Sequence, residues 1–515
     1  MTYLYKREPF TDFTLSQNKK EFQNTLEKIE KELGVHHDIL IDGERITTID
    51  KITSFNPANK YEIVGTVGKA DTDLAETAIM SARKSFQVWR DWQVKDRAGI
   101  LFRTAAIIRY RKHEFSAYLV KESGKSWQEA DADVARGIDF MEYYGRQMID
   151  LEEREEINRS LIKYNQYLYQ PLGIAVTISS SYFPFSTMVQ TTVAPLVTGN
   201  TVILKPSSST PIIAAKFVEV LEEVGIPSGV ISFLPGSGEE VGDYLVNHPK
   251  TNLIIFTGSR DVGIRIWEQA AKVHPTQAHL KRAIVEWGGR DTIIVDNDVD
   301  IDMAAEELIA SAFGFSARKR FTGSRAIIHQ DIYKSLLERV IDLTNKLNVG
   351  DPFFPDNYMG PVTNQRAYLH IMSYLEVGKK EGRLVAGGIG DDSQGYFVRP
   401  TIFADVQPES RIMQEELFGP VIVFCKANDF EQALSIANNT KYGVTGALIT
   451  NNHDHMERAR YDFHVENLYV NHNCTENVFG NYPFGSFKSS GTDSKLGEQN
   501  YLHLHMREKV VLKKL

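Results

Sequence analysis

Two segments of the chain combine residue types that can hold a ribose or a phosphate. Lys205 ends the apolar run T-V-I-L-K, and a lysine at the carboxyl end of a parallel strand is well placed to bind either group. Gly258 and Ser259 follow the run N-L-I-I-F-T, where the glycine permits a tight turn and the next helix offers free N–H groups to an anion. Each signal is weak alone, because Lys205 can equally be a solvated surface lysine and no G-x-G-x-x-G motif accompanies Gly258.

Two glutamates stand in segments suited to proton transfer or to hydroxyl binding. Glu286 follows an apolar run and precedes Gly288 and Gly289, whose backbone lets a ligand come close. A desolvated carboxylate there would suit a general base, and the alternative is a glutamate that caps a turn. In E-E-L-F-G-P, Glu416 offers a carboxylate to ribose hydroxyls and Phe418 offers a ring for stacking, although a phenylalanine is more often part of the core.

The sequence predicts alternating strands and helices that would position these segments. From Gly173 onward, short β-branched runs alternate with helix patterns, and a second series begins after Glu286 and extends to about Tyr469. Such runs between helices are typical of parallel sheets that are covered on both faces. The sequence therefore predicts an α/β fold with two parallel-sheet domains, whose ligands bind at the carboxyl ends of strands.

The two ends of the chain have a different character. Alternating residues on both sides of Asp42-Gly43 predict a β-hairpin, and the tail K-V-V-L-K-K-L is a strand pattern. Nothing inside the chain is predicted to pair with that tail, so we expect it to pair with another subunit. A polar helix rich in Lys and Glu is predicted from Gln17 to Leu33. Apolar residues at three- and four-residue spacing predict long helices from Asp71 to Trp92, Arg97 to Glu122 and Trp127 to Arg154.

Composition and charge argue against several classes of partner. The net charge of -9 does not suit nucleic acid or a membrane surface, both of which favour a basic face. No apolar run approaches the roughly 18 residues of a membrane span, and the N-terminus lacks an apolar signal core. Two cysteines, Cys425 and Cys474, make no disulfide framework, so we expect a cytoplasmic protein. No third ligand at zinc spacing accompanies the paired histidines, which are expected at the surface and not at a metal: His36, His37, His453, His455, His503 and His505.

Taken together, these motifs resemble the aldehyde dehydrogenase superfamily over nearly the whole chain. The segments that carry the resemblance are F-N-P-A-N, G-N-T-V-I-L-K-P, F-T-G-S-R-D-V-G, V-E-W-G-G-R-D, Q-E-E-L-F-G-P and Y-P-F-G-S-F-K-S-S-G-T-D. Within the superfamily, the chain resembles the 1-pyrroline-5-carboxylate (glutamate semialdehyde) dehydrogenases in E-P-F-T-D-F, A-F-G-F-S, N-Y-M-G-P-V and S-G-T-D-S-K.

The resemblance implies a dinucleotide-binding site. Residues at matching positions would hold NAD or NADP: Lys205, Ser208, Gly258, Ser259, Glu416 and Phe418. The family often has an acidic residue where Ser208 stands. A neutral side chain there would repel a 2′-phosphate less, so the resemblance does not decide between NAD and NADP.

The family's chemistry needs a thiolate nucleophile, an Asn that stabilises the oxyanion, and a glutamate that activates water. In this chain the resemblance places Arg320 at the cysteine position, in A-R-K-R-F, and Tyr182 at the Asn position, in S-S-S-Y-F-P. A guanidinium stays protonated and cannot attack a carbonyl. Glu286 remains at the base position. The sequence therefore predicts that the thioester route is lost.

The residues around the altered positions have also changed. Phe321 stands where the semialdehyde dehydrogenases have a hydroxyl, and the substrate-anchoring loop is H-N-C-T-E-N, which places Glu476 and Asn477 near the site. Glu476 would oppose an anionic substrate or pair with Arg320. Ser486 replaces an expected glycine. Cys474 belongs to the anchoring loop, and we do not expect it to replace the missing nucleophile.

Two hypotheses follow for a protein that would bind a small molecule and form a homo-oligomer. The first is a divergent oxidoreductase, which transfers hydride without a thioester from a pocket rebuilt at Arg320, Phe321, Tyr182, His472 and Glu476. The second is a pseudoenzyme with a structural, regulatory or partner-binding role; an engineered Arg320 is a less favoured third explanation.

The resemblance divides the chain into an N-terminal arm (1–35), an NAD(P)-binding domain (36–155 and 173–286), an oligomerisation arm (156–172 and 487–515) and a catalytic-type domain (287–486).

Overall fold

The fold is built around two mixed β-sheets of seven described strands each, which are flanked by helices. The computed structural model describes residues 5–161, 165–314, 322–474, 485, 487–492 and 500–512. Apart from two strands of the predicted hairpin, which join the first sheet, the strands of the two sheets lie in the two series of alternating strands and helices that the sequence predicts. An α/β fold with parallel-sheet domains is therefore confirmed.

The described strands are, in chain order, β1 (Val35–His37), β2 (Ile39–Ile41), β3 (Glu44–Ile46), β4 (Lys51–Asn56), β5 (Asn59–Gly68), β6 (Asn165–Pro171), β7 (Ile174–Ile178), β8 (Thr201–Lys205), β9 (Ile231–Phe233), β10 (Thr251–Gly258), β11 (Arg282–Trp287), β12 (Asp291–Val295), β13 (Gly323–His329), β14 (Arg383–Ala386), β15 (Gly390–Asp391), β16 (Phe397–Val398), β17 (Thr401–Ala404), β18 (Val421–Ala427), β19 (Thr445–Ile449), β20 (Asn467–Val470) and β21 (Met506–Leu512).

The described α-helices are α1 (Ser16–Lys31), α2 (Thr72–Trp89), α3 (Val94–Tyr110), α4 (Lys112–Ser123), α5 (Trp127–Leu161), α6 (Ser186–Val197), α7 (Pro211–Glu223), α8 (Asp243–Asn247), α9 (Arg260–Ala271), α10 (Ile301–Phe313), α11 (Tyr333–Asn345), α12 (Gln365–Glu381), α13 (Arg411–Gln414), α14 (Phe430–Asn438) and α15 (His453–Asp462). A π-helical turn spans Gly238–Gly242, and a 3-10 helix spans Tyr501–His505.

The first sheet has the strand order β11-β10-β7-β8-β9-β2-β3. Strands β11 to β9 are parallel, whereas β2 and β3 form the hairpin predicted around Asp42 and run antiparallel to their neighbours. All five residues of β8 are buried, because helices cover both faces of the sheet. Asp42 and Gly43 both have positive φ angles, as a two-residue hairpin turn of type I′ requires.

The second sheet has the strand order β14-β17-β18-β13-β12-β19-β20, parallel except for β14. Every residue of β12 and β19 is buried. Asp300 caps the helix that follows β12, since its side chain accepts a hydrogen bond of 2.8 Å from the Met303 N–H.

Three of the sequence-based expectations were wrong in the described residues. The helix predicted from Arg97 to Glu122 is two helices, α3 and α4, because the backbone at Arg111 leaves helical geometry. Strand β21 is paired inside the chain, antiparallel to β6, so one edge of the tail strand is closed. The histidines are not all at the surface: His37 and His505 are buried, and His37 Nδ1 lies 2.8 Å from Glu219 Oε1.

Candidate active site

A cleft of about 730 Å³ lies at the carboxyl edge of the first sheet. One wall comes from the segments that follow β7 and β8 and from the junction of β10 with α9. The opposite wall comes from the start of α12, the segment before β18 and the loop before β19. Both halves of the chain therefore contribute to the cleft.

Strand register brings the first wall together. Ile178 of β7 is paired with Lys205 of β8 on one side and with Phe256 of β10 on the other. These three strands are parallel, so the residues that follow them leave the sheet at one edge. Segments that are far apart in the sequence thus meet in one cleft.

Lys205 and Ser208 lie beside this cleft and do not line it. The Lys205 side chain is buried, and burial lowers the pKa of its ammonium to about 8. Its Nζ donates a hydrogen bond of 3.3 Å to the Pro206 carbonyl oxygen. The alternative of a solvated surface lysine was therefore wrong. Ser208 is exposed, and its neighbour Ser207 is the serine that lines the cleft.

Gly258 and Ser259 line the cleft where β10 meets α9. A Cβ atom at Gly258 would lie 2.4 Å from Cζ of Phe256, so no side chain fits while that ring stays in place. Ser259 is extended and immediately precedes the first turn of α9. The N–H groups of that turn have no partner within the helix and can bind an anion at this point.

Glu416 and Phe418 line the opposite wall. Burial, together with the nearby Asp291 carboxylate, raises the pKa of Glu416 to about 7, and Arg290 opposes the shift. Phe418 is only partly buried and has a φ of 52°, in the left-handed region. The expectation that Phe418 belongs to the core was therefore wrong, since its ring faces a cleft.

Tyr182 and Phe418 stack against each other from the two walls. Their ring centroids are 3.7 Å apart and their planes are inclined by 30°. Burial and the Glu416 carboxylate both raise the pKa of the Tyr182 hydroxyl well above its usual range. The residue predicted at the oxyanion position thus touches a residue predicted to bind the cofactor.

Glu286 is buried near the end of β11, one strand away from the cleft. It is the register partner of Thr257, which itself lines the cleft. On its other side the segment Ser490–Thr492 follows β11 antiparallel, with an isolated bridge between Glu286 and Gly491. The Trp287 N–H donates a hydrogen bond of 3.2 Å to the Ser490 carbonyl oxygen.

Four predicted pocket residues, Arg320, Phe321, Glu476 and Asn477, lie outside the described residues, as does Ser486. The chain's two cysteines are both described, and both are buried. Cys474 is 0% exposed in an apolar cluster, and its N–H donates a hydrogen bond of 3.2 Å to Ser311 Oγ. Burial raises the pKa of the Cys425 thiol in β18 to about 11.

The second wall contains residues that sequence reasoning missed, including Asn364, Arg366 and Lys441. Asn364 caps α12 through a hydrogen bond of 2.9 Å from the Ala367 N–H. Its Nδ2 also donates a hydrogen bond of 2.9 Å to Ser209 Oγ, two residues after Ser207 of the first wall. A capping residue before a helix pattern is visible in sequence, but its contact across the cleft depends on how the two halves pack.

Comparison with known proteins identifies the family of the chain. The sequence model of the aldehyde dehydrogenase family matches residues 45–511. The chain belongs to the aldehyde dehydrogenase family. Its sequence is 60% identical over 507 residues to 1-pyrroline-5-carboxylate dehydrogenase 1 of Halalkalibacterium halodurans, with 98% of each chain covered. It is 57% identical over 511 residues to 1-pyrroline-5-carboxylate dehydrogenase 2 of Bacillus subtilis, with 99% of each chain covered.

Solved structures of the family superpose closely on the chain. The 1-pyrroline-5-carboxylate dehydrogenase from Thermus with bound NAD has a TM-score of 0.95 and 41% identity, covering 100% of this chain and 99% of that one. The predicted resemblance to these dehydrogenases is therefore confirmed at the level of the family.

No helix among the described residues is long and apolar enough to cross a membrane. In the same part of the chain, no group of three or more His, Cys, Asp or Glu side chains could hold a metal ion.

Proposed function

We propose that this protein is a nucleotide-binding member of the 1-pyrroline-5-carboxylate dehydrogenase group that does not oxidise aldehydes through a thioester. The observation that carries the proposal is the state of the two cysteines. Both Cys425 and Cys474 are buried in apolar clusters, and neither lines the cleft. Attack on an aldehyde requires a thiolate that the substrate can reach.

Two substitutions support the same proposal. At the nucleophile position, Arg320 carries a permanent positive charge and no attacking lone pair. At the oxyanion position, the phenol of Tyr182 replaces an amide, and its ring packs against Phe418. The family's covalent step thus lacks both its nucleophile and its usual oxyanion donor.

The nucleotide part of the proposal rests on the cleft and on the relatives. A Thermus relative binds NAD, and here the start of α9, Ser207 and Glu416 line one continuous cleft. These groups suit phosphates and ribose hydroxyls. Neither Ser207, which lines the cleft, nor the exposed Ser208 beside it carries a carboxylate that would repel a 2′-phosphate, so we propose NAD or NADP as the ligand type.

Such a protein could transfer hydride without a covalent intermediate, or it could bind the nucleotide without any turnover. Retention of Glu286 as a buried carboxylate one strand from the cleft favours redox chemistry without a covalent intermediate. The contact between Tyr182 and Phe418 favours a pseudoenzyme that binds a ligand without turnover, because it fills the point where substrate and cofactor would meet. We favour the second form.

The test is an assay of NAD(P)H formation from glutamate semialdehyde, with 1-pyrroline-5-carboxylate dehydrogenase 2 of Bacillus subtilis as the active control. We expect no product from this protein with either NAD or NADP. A rate comparable to that of the control would overturn the proposal. Slow NAD(P)H formation that survives replacement of both cysteines by serine would instead support the non-covalent oxidoreductase.

A matched variant checks the assignment of the two altered positions. The double substitution Arg320→Cys and Tyr182→Asn restores the residue types that the family uses there. Recovery of aldehyde oxidation in this variant would mean that the rest of the pocket still has the form that the family's reaction needs. The thioester route would then have been lost through these two changes alone.

A further inference from the structure

The contact between Tyr182 and Phe418 lies where two groups of a redox reaction would have to meet. Hydride transfer requires the donor and acceptor carbons to approach to about 3–3.5 Å. The resemblance assigns Tyr182 to the position where the substrate oxygen would be held and Phe418 to cofactor binding. If these assignments hold, a nicotinamide ring that reacts with the substrate would lie against both positions.

No third ring fits between these two. Aromatic rings in contact are separated by about 3.5–4 Å, so an inserted ring would need the outer two to be roughly 7 Å apart. The centroids of Tyr182 and Phe418 are only 3.7 Å apart. The two side chains are already in van der Waals contact.

The chain next to each of the two rings is tightly packed. Phe418 has a left-handed backbone between buried Leu417 and Gly419, and a Cβ atom at Gly419 would lie 2.6 Å from Cδ1 of Ile371. The Val421 N–H donates a hydrogen bond of 2.7 Å to the Gly419 carbonyl oxygen. The backbone that follows Phe418 is therefore closely packed and hydrogen-bonded.

The residue after Tyr182 is fixed as well. Lys125 Nζ lies 3.9 Å from the centroid of the Phe183 ring, and the guanidinium carbon of Arg136 lies 5.4 Å from the same centroid. Phe183 is 8% exposed. These cation–π contacts, each worth about 0.5–2 kcal/mol, anchor the backbone that presents Tyr182 to the cleft.

We propose that the stacked pair of Tyr182 and Phe418 occupies the place of the nicotinamide ring, so that the cleft binds the ADP-ribose part of a dinucleotide and excludes its redox ring. This inference rests on the proposed function, since it takes the cleft to be a nucleotide site. Serine hydroxyls, the N-terminus of α9 and Glu416 remain in the cleft for the phosphates and riboses.

The test is calorimetric titration of the full chain with NAD, ADP-ribose and nicotinamide mononucleotide. Because the nicotinamide adds no contact, we expect the Kd of NAD and of ADP-ribose to agree within about threefold, and nicotinamide mononucleotide not to compete. Tyr182→Phe keeps a ring in place and should leave this pattern unchanged. Tyr182→Ala removes it, and NAD should then bind about tenfold more tightly than ADP-ribose.

The matched control is Tyr461→Ala, which removes an exposed tyrosine from α15 and should leave all three affinities unchanged. Thermal unfolding of each variant verifies that it is folded. The comparison of NAD with ADP-ribose in the wild-type protein tests the inference even if a variant does not fold. Tighter binding of NAD than ADP-ribose by tenfold or more in the wild type would overturn the inference and leave the nucleotide site intact. Failure of both ligands to bind would overturn the nucleotide site itself, and the inference with it.

Discussion

Burial raises the pKa of Glu416 to about 7, so this carboxyl group is partly protonated at neutral pH. An ionised carboxylate accepts hydrogen bonds from ribose hydroxyls more strongly than a neutral carboxyl group does. The charge state of a single side chain in the cleft should therefore influence nucleotide affinity across the physiological range of pH.

We expect ADP-ribose to bind about fivefold more tightly at pH 8 than at pH 6, because Glu416 is ionised above its pKa and neutral below it. Calorimetry at both pH values measures the difference. Glu416→Gln should bind weakly and with little dependence on pH. As a control, Glu415→Gln alters the neighbouring carboxylate, whose pKa is lowered by Arg411, and should keep the dependence. A wild-type affinity that is constant between pH 6 and 8 would contradict the assignment.

Sequence reasoning at this scale found most of the residues but not their arrangement. Gly258, Ser259, Glu416 and Phe418 were all chosen by type and spacing, and the structure gathers them in one cleft. The stacking of Tyr182 on Phe418 was not predicted, because it joins segments from different halves of the chain. Local patterns carry no information about such a contact.

Helix α7, which follows the loop after Lys205, begins with a cap that comes from a distant element. Glu122, near the end of α4, accepts hydrogen bonds of 2.7 and 2.9 Å from the N–H groups of Ile212 and Ile213. Ser54 Oγ donates a third hydrogen bond, of 2.9 Å, to the same carboxylate. The buried Glu122 thus satisfies two backbone donors in the first turn that have no partner within the helix.

We expect Glu122→Gln to lower the Tm by about 2–6 °C, because the amide NH₂ cannot accept one of these hydrogen bonds and leaves a buried donor unsatisfied. Scanning calorimetry measures the shift. Glu223→Gln, at the exposed end of the same helix, is the matched control and should change the Tm by less than about 1 °C. Equal Tm values for the two variants would show that the cap contributes nothing.

Strands and helices with a strong local sequence pattern were predicted well. Those whose limits or pairing depend on residues far away in the sequence were not. The buried β-branched runs of β7, β8, β12 and β19 identify parallel strands directly. The break between α3 and α4 was missed because apolar spacing continues through it. At the break, Arg111 has a φ of -97° and a ψ of 21°, and its side chain pairs with Glu114 and Glu223.

At the scale of the whole molecule, β6 and β21 form a two-stranded sheet that is separate from both large sheets. On β21, Val510 is 57% exposed and Val511 is 37% exposed. Exposed apolar residues on a separate two-stranded sheet are typical of a surface that contacts another subunit. The roles of segments 156–172 and 487–515 as an oligomerisation arm remain a proposal that this surface supports.

We expect Val510→Asp to shift the protein toward smaller assemblies, because it would place an ionised carboxylate in the proposed apolar contact between subunits. Size-exclusion chromatography with light scattering measures the mass. Val35→Asp, at a valine of β1 with a similar exposure of 50%, is the control and should leave the mass unchanged. Identical masses for wild type and both variants would remove β21 from the interface.

The stack of Tyr182 on Phe418 also has a consequence for metabolism. The oxidised and reduced forms of a nicotinamide dinucleotide differ only in the ring that this contact excludes. A cleft that contacts only the ADP-ribose part gives the two forms equal affinity. The amount of bound nucleotide would then depend on the total concentration of the oxidised and reduced forms and not on the ratio between them.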